Sequence, residues 1–444
     1  MTKPSRTLIS GGQIVTMSPE RHVLEGDLLI EGDRIVDLGP KLKAGRGGEV
    51  IDASGCIVMP GLIQPHVHLC QTLFRGRADG LELLDWLRER IWPFEAAHDH
   101  ESLYTSALLG GAELLRSGTT AILDMGTVRH TDAVFEAAKK LGLRATIGKA
   151  MMDKGQGVPA GLRETTEASL SESLALADRW HGTENGRLRY AFAPRFVLSC
   201  TEALMKGVAK EARQRGLIIH THASENQGEI AAVREAVGLD NVAYLHSIGL
   251  SGKDTVLAHC VWLTSEEQKI LRETGSHVAH CPSSNLKLAS GIAKVPELLR
   301  LGINVCLAAD GAPCNNNLDG FMEMRLAGLI QGPRFGPTAL SAETVLEMAT
   351  VRGARALGLE KDIGSLEIGK KADVAIVDVE TLHTAPAEDP YGVLVYGARG
   401  SDVVHVFVDG VQRVKNGKVL GISAGKLIAS ARDHAAAIAE KVLG

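Results

Sequence analysis

Long apolar runs and an excess of positive charge are both missing from this chain of 444 residues. No segment approaches the roughly eighteen consecutive apolar residues that a membrane-spanning helix needs. The formal net charge is −5, and the chain has neither a long basic run nor arginines interleaved with aromatic residues, as nucleic-acid-binding surfaces do. The sequence therefore predicts no membrane and no nucleic-acid partner, and it favours a small molecule as the substrate.

Paired cysteine spacings are absent as well. The seven cysteines run from Cys56 to Cys314 at irregular intervals, whereas a disulfide framework needs an even number at characteristic spacings. Residues 1–6 lead into a strand-like run without the apolar core of a signal peptide. We therefore expect reduced thiols and a cytoplasmic protein.

The pattern of the chain changes at two points. Residues 1–59 have the character of short strands joined by turns, 60–358 alternate apolar strands with amphipathic helices, and 359–444 return to strands before a closing helix. Repeated β/α units are typical of a parallel sheet. The predicted fold class is therefore α/β, with a (β/α)8 TIM-like catalytic barrel over 60–358. The flanking segments, 1–59 and 359–444, resemble each other, so we expect them to be the two halves of one small β-sandwich.

Eight apolar segments supply the predicted barrel strands. They are residues 62–68, 120–124, 144–149, 188–195, 217–222, 255–259, 277–280 and 304–310. One intervening helix has clear end signals, because Thr264 and Glu267 have the spacing of a capping box and Gly275 follows the last helical position. A second helix, the closing one, is predicted at 424–442.

Two histidines separated by one residue, His66 and His68, stand at the end of the first predicted barrel strand. Alternate side chains of a strand lie on one face, so both imidazoles point the same way. Further candidate ligands, His222, His259 and Asp310, fall at the C-terminal ends of later strands, which is the active-site face of such a barrel. Because zinc-like ions prefer histidine and carboxylate ligands, the pattern predicts a functional metal site.

Five short motifs together give the chain a specific resemblance. They are Pro60-Gly61-Leu62 through His66-Val67-His68, His222-Ala223-Ser224-Glu225, Ala258-His259-Cys260-Val261, His280-Cys281-Pro282-Ser283-Ser284-Asn285, and Ala309-Asp310-Gly311-Ala312-Pro313-Cys314-Asn315-Asn316. The chain resembles the amidohydrolase superfamily over essentially its whole length, and within it the metal-dependent deaminase and chlorohydrolase branch. The resemblance implies that Glu225 shuttles a proton and that His259 orients the attacking hydroxide. It also implies four metal ligands: His66, His68, His222 and Asp310.

The fourth predicted strand bears on the number of metal ions. Binuclear members of the superfamily bridge two ions with a carboxylated lysine from that strand, whereas here it ends in Arg195. The nearest lysine, Lys149, closes the third strand. We therefore expect one divalent ion, with zinc preferred and iron or nickel compatible with the same ligand types.

Other histidines leave alternatives open. His220 and His222 share a face of the fifth strand, so their spacing does not choose the ligand, but the His-x-x-Glu match favours His222. His220 and His280 are then expected to be packed or to support a ligating group. Helical or loop contexts predict solvated side chains for His98, His100 and His181.

The substrate is predicted from residues outside the metal set. The segment that contains Trp86 and Glu95 resembles one in deaminases of S-adenosylhomocysteine and methylthioadenosine, where Trp86 would pack on the nucleoside and Glu95 would accept hydrogen bonds from ribose hydroxyls. The competing interpretation is a buried helix-face tryptophan and a solvated glutamate. The chain looks closest to 5'-deoxyadenosine deaminases and to N-ethylammeline chlorohydrolase-like proteins.

Two positions depart from that branch. Arg195 stands where the adenosylhomocysteine deaminases usually have histidine, and Pro313-Cys314 stands where many have Ala-Ser. A cationic Arg195 could meet a substrate carboxylate or phosphate, or it could be neutralised by a nearby acid.

The expected reaction is hydrolytic deamination of an adenine nucleoside to its inosine analogue and ammonia by attack of a metal hydroxide. The candidate substrates are 5'-deoxyadenosine, methylthioadenosine, S-adenosylhomocysteine and adenosine. Glu225 would carry a proton to a ring nitrogen, and Asp310 would accept the second hydroxide proton. The alternatives are a chloro- or amino-triazine hydrolase, a guanine deaminase and a non-catalytic scaffold, which the retained ligands disfavour. We also expect a homo-oligomer, either a dimer or a tetramer.

Overall fold

Strands in two sheets organise the computed structural model, which describes residues 5–444. In chain order the strands are β1 (Arg6–Val15), β2 (Val23–Glu31), β3 (Arg34–Gly39), β4 (Glu49–Asp52), β5 (Cys56–Pro60), β6 (Leu62–His68), β7 (Thr119–Met125), β8 (Arg144–Gly148), β9 (Ala150–Met151), β10 (Leu188–Pro194), β11 (Ile218–Ala223), β12 (Thr255–His259), β13 (His277–His280), β14 (Val305–Leu307), β15 (Asp310–Gly311), β16 (Val374–Asp378), β17 (Val403–Val408), β18 (Val411–Lys415) and β19 (Lys418–Val419).

Helices join most of the strands of the parallel sheet. They are α1 (Leu83–Trp86), α2 (Trp92–Ala96), α3 (His100–Arg116), α4 (Thr131–Leu141), α5 (Thr166–Trp180), α6 (Glu202–Arg215), α7 (Gln227–Val237), α8 (Asn241–Ser247), α9 (Ser265–Thr274), α10 (Pro282–Lys287), α11 (Val295–Arg300), α12 (Ala312–Asn315), α13 (Gly320–Ile330), α14 (Gly332–Phe335), α15 (Ala342–Ala349), α16 (Val351–Ala356), α17 (Pro390–Gly392) and α18 (Ala424–Leu443). Short 3₁₀ turns span Leu69–Phe74, Ala160–Leu162, Val197–Ser199 and Gly400–Asp402, and π-helical turns span Leu87–Ile91 and Val393–Gly397.

The first sheet has nine strands in the order β19-β18-β17-β16-β5-β1-β2-β3, with β4 beside β1. Strands β16 and β5 pair antiparallel, so segments from both ends of the chain share this sheet. Alternating apolar side chains such as Ile14, Ile30 and Phe407 pack in one buried core. The prediction of a β-sandwich built from both termini is confirmed.

The second sheet is parallel, in the order β14-β13-β12-β11-β10-β8-β7-β6-β15, with β9 beside β10. The eighth barrel strand is divided, because β14 pairs with β13 whereas β15 pairs with β6 and places Asp310 opposite Val67. The two parts of the eighth strand thus pair with the seventh and the first barrel strands, and together they close the sheet into the predicted (β/α)8 barrel. The other seven predicted strands differ from the observed ones by no more than one residue at either end.

Two predicted helices are present with their expected ends. In α9 the Thr264 hydroxyl accepts a hydrogen bond from the Glu267 N–H, the Glu267 carboxylate accepts one from the Thr264 N–H, and Gly275 ends the helix at a φ of 71°. Helix α18 begins at the predicted residue and packs its small apolar face, including Ala431 and Ile438, with Phe74 and Phe94. Capping and the apolar face of a helix are local properties, so the sequence predicts them well.

The chain forms two compact units. One comprises the residues up to Gln64 together with Ala112–Ala121 and Asp319–Ile422, and the other comprises Pro65–Gly111, Ile122–Leu318 and Ser423–Gly444. All candidate site residues belong to the second unit. The boundaries at residues 59 and 358 stay a prediction. Within residues 5–444, no helix has the length and apolar character to cross a membrane.

Candidate active site

The candidate ligands meet at the C-terminal ends of the barrel strands. Strand β6 carries His66 and His68, β11 carries His222, β12 ends at His259 and β15 begins at Asp310. His259 and Asp310 have positive φ values of 73° and 64°. Residues with a side chain adopt this left-handed conformation at a cost, and such residues cluster at functional sites. The chain thus leaves the regular strand geometry at two of the positions that build the cluster.

The tautomers of His68 and His222 follow from their backbone partners. The Nδ1 atom of His68 lies 2.7 Å from the Met125 carbonyl oxygen, and that of His222 lies 2.8 Å from the Arg195 carbonyl oxygen. A carbonyl oxygen only accepts, so each Nδ1 carries the hydrogen and each Nε2 presents a lone pair. The two Nε2 atoms are 3.3 Å apart. Two lone pairs therefore face each other in the interior.

Asp310 adds a third acceptor to this point. Its Oδ1 lies 3.3 Å from His68 Nε2 and 3.2 Å from His66 Nε2, while His66 Nδ1 lies 2.8 Å from His220 Nε2. Burial is the largest influence on His68 and lowers its pKa to about 4, so its imidazole is neutral at pH 7. Burial alone would raise the pKa of Asp310, but His66 and the other imidazoles hold it well below its ordinary value. The cluster thus combines neutral imidazoles with one carboxylate.

This donor set fits a divalent cation. Ligands of a tetrahedral zinc site lie about 3.3–3.4 Å apart when the metal–nitrogen bonds are about 2.0–2.1 Å long. The separations among His66, His68, His222 and Asp310 that are given above are 3.2–3.3 Å. Acceptors that face acceptors at these distances repel one another, and a cation between them converts the repulsion into attraction.

Glu225 and His259 lie beside this cluster. Glu225 Oε2 is 3.4 Å from His259 Nε2, and His259 Nε2 is 3.8 Å from Asp310 Oδ2. Burial, helped by the charge of Asp310 and opposed by His259, raises the pKa of Glu225 to about 7. Burial lowers the pKa of His259, but the carboxylates of Glu225 and Asp310 outweigh it and raise this pKa overall. A carboxyl group that titrates near neutral pH can both accept and return a proton.

Two supporting residues have more specific contacts than sequence reasoning assigned to them. Ser284 and Asn285 stand on α10, which follows the seventh barrel strand, β13. Ser284 Oγ donates to Asp310 Oδ2 at 2.6 Å, and Asn285 Oδ1 accepts from His259 Nδ1 at 2.9 Å. Both orient site residues, as hydrogen-bonded neighbours of metal ligands commonly do. The His280-to-Asn285 motif was the available signal, because it contains both polar residues.

A pocket with about 440 Å³ of empty space opens onto the cluster. Its apolar lining consists of Leu83, Trp86, Leu87, Phe196 and Leu288, and its polar lining of His68, Gln71, Arg195, His222, Glu225, Glu229, His259 and Asp310. The structure therefore brings Trp86 and Arg195 to the same pocket as the candidate ligands, as the substrate prediction requires.

Glu95 is not among the lining residues. It is buried against Arg195, whose Nη1 and Nη2 atoms donate to the two carboxylate oxygens at 2.7 and 3.0 Å. Gln71 Nε2 and Thr127 Oγ1 donate to the same carboxylate at 2.8 and 3.1 Å. Of the two possibilities for Arg195, the geometry is that of neutralisation by an acid. Sequence reasoning missed Gln71, although it follows His68 by three residues in a helical turn.

The remaining histidines and Lys149 have distinct surroundings. Lys149 is fully buried and its Nζ donates to Glu164 and Glu172. His280 is fully buried. The expectation of a solvated His98 is wrong, because its ring is 7% exposed and its two nitrogens contact the Cys70 carbonyl and the Ser102 hydroxyl.

Comparisons with known proteins identify the family of the chain. The model of the Amidohydrolase family matches residues 57–413. A 5'-deoxyadenosine deaminase of Methanosarcina acetivorans is 40% identical over 430 residues, which cover 96% of this chain and 97% of the relative. A 5-methylthioadenosine/S-adenosylhomocysteine deaminase of Moorella thermoacetica is 41% identical over 409 residues, or 91% and 93% of the two chains.

A solved structure extends the comparison to the fold. An adenosine deaminase from Xanthomonas campestris with bound zinc has a TM-score of 0.92 and 32% identity, with 99% of each chain covered. The resemblance seen in the motifs is confirmed, and the chain belongs to the amidohydrolase family.

Proposed function

We propose that the protein is a metal-dependent hydrolytic deaminase of adenine nucleosides. The observation that carries this proposal is the convergence of imidazole lone pairs and Asp310 beside a carboxyl group, Glu225, whose pKa is about 7. The family and the names of the relatives at 40% and 41% identity support the same reaction class. The substrate class is 5'-deoxyadenosine, methylthioadenosine, S-adenosylhomocysteine or adenosine.

The ligands that would hold the metal are His66, His68, His222 and Asp310. One ion is proposed because Arg195 follows the fourth barrel strand, β10, and Lys149 is engaged by two glutamates. Zinc is preferred, since the donor set is the one that zinc sites use. When bound, such an ion lowers the pKa of water from 15.7 to about 7 and so supplies a nucleophile at neutral pH.

The chain's own residues then manage the protons. Attack at the carbon that bears the exocyclic amine breaks the aromaticity of the ring, so a ring nitrogen must gain a proton. Glu225 would deliver that proton, and Asp310 would accept the second proton of the attacking water; the two carboxyl groups lie 3.4 and 3.8 Å from His259 Nε2. His259, held by Asn285, would keep the attacking oxygen in line. Trp86 would pack against the base, and the amine would take the proton held by Asp310 and leave as ammonia.

The leaving group separates the alternatives. Chloride leaves without a proton, whereas ammonia leaves poorly unless the amine is protonated. A buried carboxyl with a pKa near 7 beside the ligands therefore favours deamination over triazine dechlorination. Guanine deamination uses the same groups and is tested together with the other substrates. Seven free cysteines suit a reducing cytoplasm, and the expected dimer or tetramer is measurable by light scattering.

A substrate panel tests the proposal. Zinc-loaded protein is assayed with 5'-deoxyadenosine, methylthioadenosine, S-adenosylhomocysteine, adenosine, guanine and a chlorotriazine, while ammonia and chloride are measured in parallel. We expect ammonia from at least one adenine nucleoside at a kcat/KM above those for guanine and the triazine. Chloride release without ammonia release, or ammonia from guanine alone, would refute the adenine-nucleoside assignment.

A further inference from the structure

Strands β11 and β12 end in irregular backbone that joins them beside the site. Ser224, which follows β11, has a φ of 53°, and His259, the last residue of β12, has a φ of 73°. The Ser224 carbonyl oxygen accepts hydrogen bonds from the N–H groups of Val261 and Trp262 at 2.9 and 3.1 Å. The chain is thus tied to the segment after β12 immediately before Glu225, whose Oε2 lies 3.4 Å from His259 Nε2.

The N–H group of Glu225 takes no part in these contacts and is bound by a side chain. It donates to Oε2 of Glu229 at 2.9 Å, while the Asn241 amide donates to Oε1 of the same carboxyl group. Glu229 is 1% exposed and stands in the first turn of α7. A buried backbone N–H without an acceptor costs free energy, so the Glu229 carboxyl stabilises this placement of the Glu225 backbone.

The side-chain end of Glu225 is held less firmly. Ser290 Oγ donates to Glu225 Oε1 over 3.4 Å, which is long for a hydroxyl donor. Ser290 is itself fixed by the Trp262 indole N–H, which donates to the Ser290 carbonyl oxygen at 2.6 Å. A side chain with a weakly held tip takes its position from its backbone. The 2.9 Å bond to Glu229 is therefore the stronger of the two constraints on Glu225.

Glu229 also lines the pocket, and two other roles would suit a carboxyl group there. It could bind the substrate, or it could carry a second proton beside Glu225. Its two oxygens, however, are engaged by the Glu225 N–H and by Asn241. A positioning role accounts for both contacts, whereas a substrate contact or a proton transfer explains neither.

We propose that Glu229 is a positioning residue for deamination, which holds Glu225 beside the candidate metal ligands by accepting its backbone N–H. Glu229 touches no substrate and transfers no proton, so the reaction requires only its acceptor oxygen. This inference rests on the proposed function, because it concerns the residue that carries the proton there. A misplacement of about 1 Å can cost about 10²-fold in rate, so loss of the bond lowers kcat and leaves KM and metal content unchanged.

Substitutions at position 229 test the acceptor directly. Ammonia release is measured at the pH optimum of each variant, with the adenine nucleoside that has the highest kcat/KM in the wild type. Glu229→Leu removes the acceptor, and we expect kcat to fall about 10–100-fold while KM stays within about threefold of the wild type. Glu229→Gln keeps an oxygen for the Glu225 N–H, because Asn241 Oδ1 has no partner within residues 5–444 and can accept from the new amide. Its kcat should stay within about threefold of the wild type.

Three results would overturn the proposal. Glu229→Leu with wild-type kcat would show that the bond is dispensable, and a raised KM at unchanged kcat would assign Glu229 to substrate binding. Equal losses of kcat in Glu229→Leu and Glu229→Gln would assign it to proton transfer. Lys149→Met, a change that should lower stability without lowering kcat, is the control for lost stability. If Glu229→Leu does not fold, Glu229→Asp withdraws the carboxyl by one methylene and has the same expected results.

Binding without turnover gives a second test of the substrate contact. Calorimetric titration with 5'-deoxyadenosine compares zinc-loaded Glu225→Gln with the double variant Glu225→Gln/Glu229→Leu. We expect the two Kd values to agree within about threefold, because a residue that acts only through Glu225 adds no binding energy. Binding that is about tenfold weaker or more in the double variant would overturn the proposal, since a lost hydrogen bond to the substrate has that size.

Amide hydrogen exchange separates failure of this inference from failure of the proposed function, because it needs no turnover. In zinc-loaded protein, mass spectrometry of peptides that contain Glu225 should show faster exchange of its amide in Glu229→Leu. Glu229→Gln and the exposed control Glu235→Gln should match the wild type. Unchanged exchange in Glu229→Leu refutes the inference even in an active deaminase. No ammonia from the wild type with any adenine nucleoside instead refutes the proposed function, and the role of Glu229 in deamination with it.

Discussion

Two buried polar clusters in the same compact unit are built on opposite principles. Around Asp310, acceptor atoms face one another at 3.2–3.3 Å, and two of the contributing residues have left-handed backbones. Around Lys149, opposite charges are in contact, with Nζ 2.5 Å from Glu164 and 2.6 Å from Glu172. The first arrangement requires an additional cation, whereas the second already contains one, the Lys149 ammonium, between its two carboxylates. Disrupting the cluster around Asp310 should therefore abolish ammonia release, and disrupting the cluster around Lys149 should reduce the free energy of unfolding.

The largest expected effect comes from the imidazole cluster. The His68→Ala variant removes one of the facing lone pairs, so we expect the bound zinc to be lost and ammonia release to fall to background. Dialysis of the wild type against a chelator should do the same, with recovery on re-addition of zinc. Elemental analysis and the ammonia assay measure both quantities. His100→Ala, a change at an exposed histidine on α3, is the control and should retain metal and activity.

Glu225→Gln separates proton transfer from metal binding. The amide keeps the shape of the carboxylate but does not shuttle a proton, so we expect kcat to fall by about 10²–10⁴-fold. Zinc content should stay at the wild-type level. Glu235→Gln on the following helix, α7, at an exposed position, should behave like the wild type. If Glu225→Gln retains activity within about tenfold of the wild type, the proton-shuttle role assigned to Glu225 is wrong.

Lys149→Met is the matching change in the second cluster, which Lys149 forms with Glu164 and Glu172. It leaves Glu164 buried beside an apolar side chain, and breaking a buried ion pair in this way costs about 3–5 kcal/mol of unfolding free energy. Zinc content and kcat per folded molecule should be unchanged. Denaturant titration measures the loss, and Lys140→Met on the exposed face of α4 is the control. Loss of metal at unchanged stability would show that the two clusters are not independent.

The contrast between the clusters also marks what the sequence could predict. The candidate ligands lie at strand ends with fixed alternation, so His66, His68 and Asp310 could be placed from local periodicity and motif spacing. The barrel strands were predictable for the same reason. Helix α9 could be bounded because its capping residues are three positions apart.

Long-range pairing was not predictable in this way. The acid that neutralises Arg195, Glu95 on α2, is 100 residues away in the chain, and no local pattern links the two positions. His98 was expected in solvent because of its helical or loop context, yet its ring reaches the Cys70 carbonyl. The eighth strand is interrupted between Leu307 and Asp310, and Asp310 has a positive φ, which no composition rule requires of an aspartate.

The smallest predicted effect concerns a carboxyl group that lines the pocket without a cation in contact. Burial raises the pKa of Glu229 to about 7, partly offset by hydrogen bonds from the Glu225 N–H and the Asn241 amide. Because the folded-state pKa of Glu229 is above the ordinary 4.5, the folded protein favours the protonated carboxyl group. The protonated group makes its full contribution to folding stability below pH 4.5, and this contribution is lost as the pH rises through 7. In metal-depleted protein, wild type should therefore lose on the order of 3 kcal/mol relative to Glu229→Gln between those pH values.

Glutamine should fit at position 229, because the Asn241 Oδ1 atom has no hydrogen-bond partner and can turn to accept from the new amide. Urea titrations at several pH values measure the difference, with Glu235→Gln on the same helix as the control. Parallel pH curves for wild type and Glu229→Gln would show that Glu229 is neutralised by a charge, as Glu164 is by Lys149. The cluster around Asp310 would then differ from the cluster around Lys149 in its imidazoles, but the carboxyl group of Glu229 would be paired with a cation just as Glu164 is.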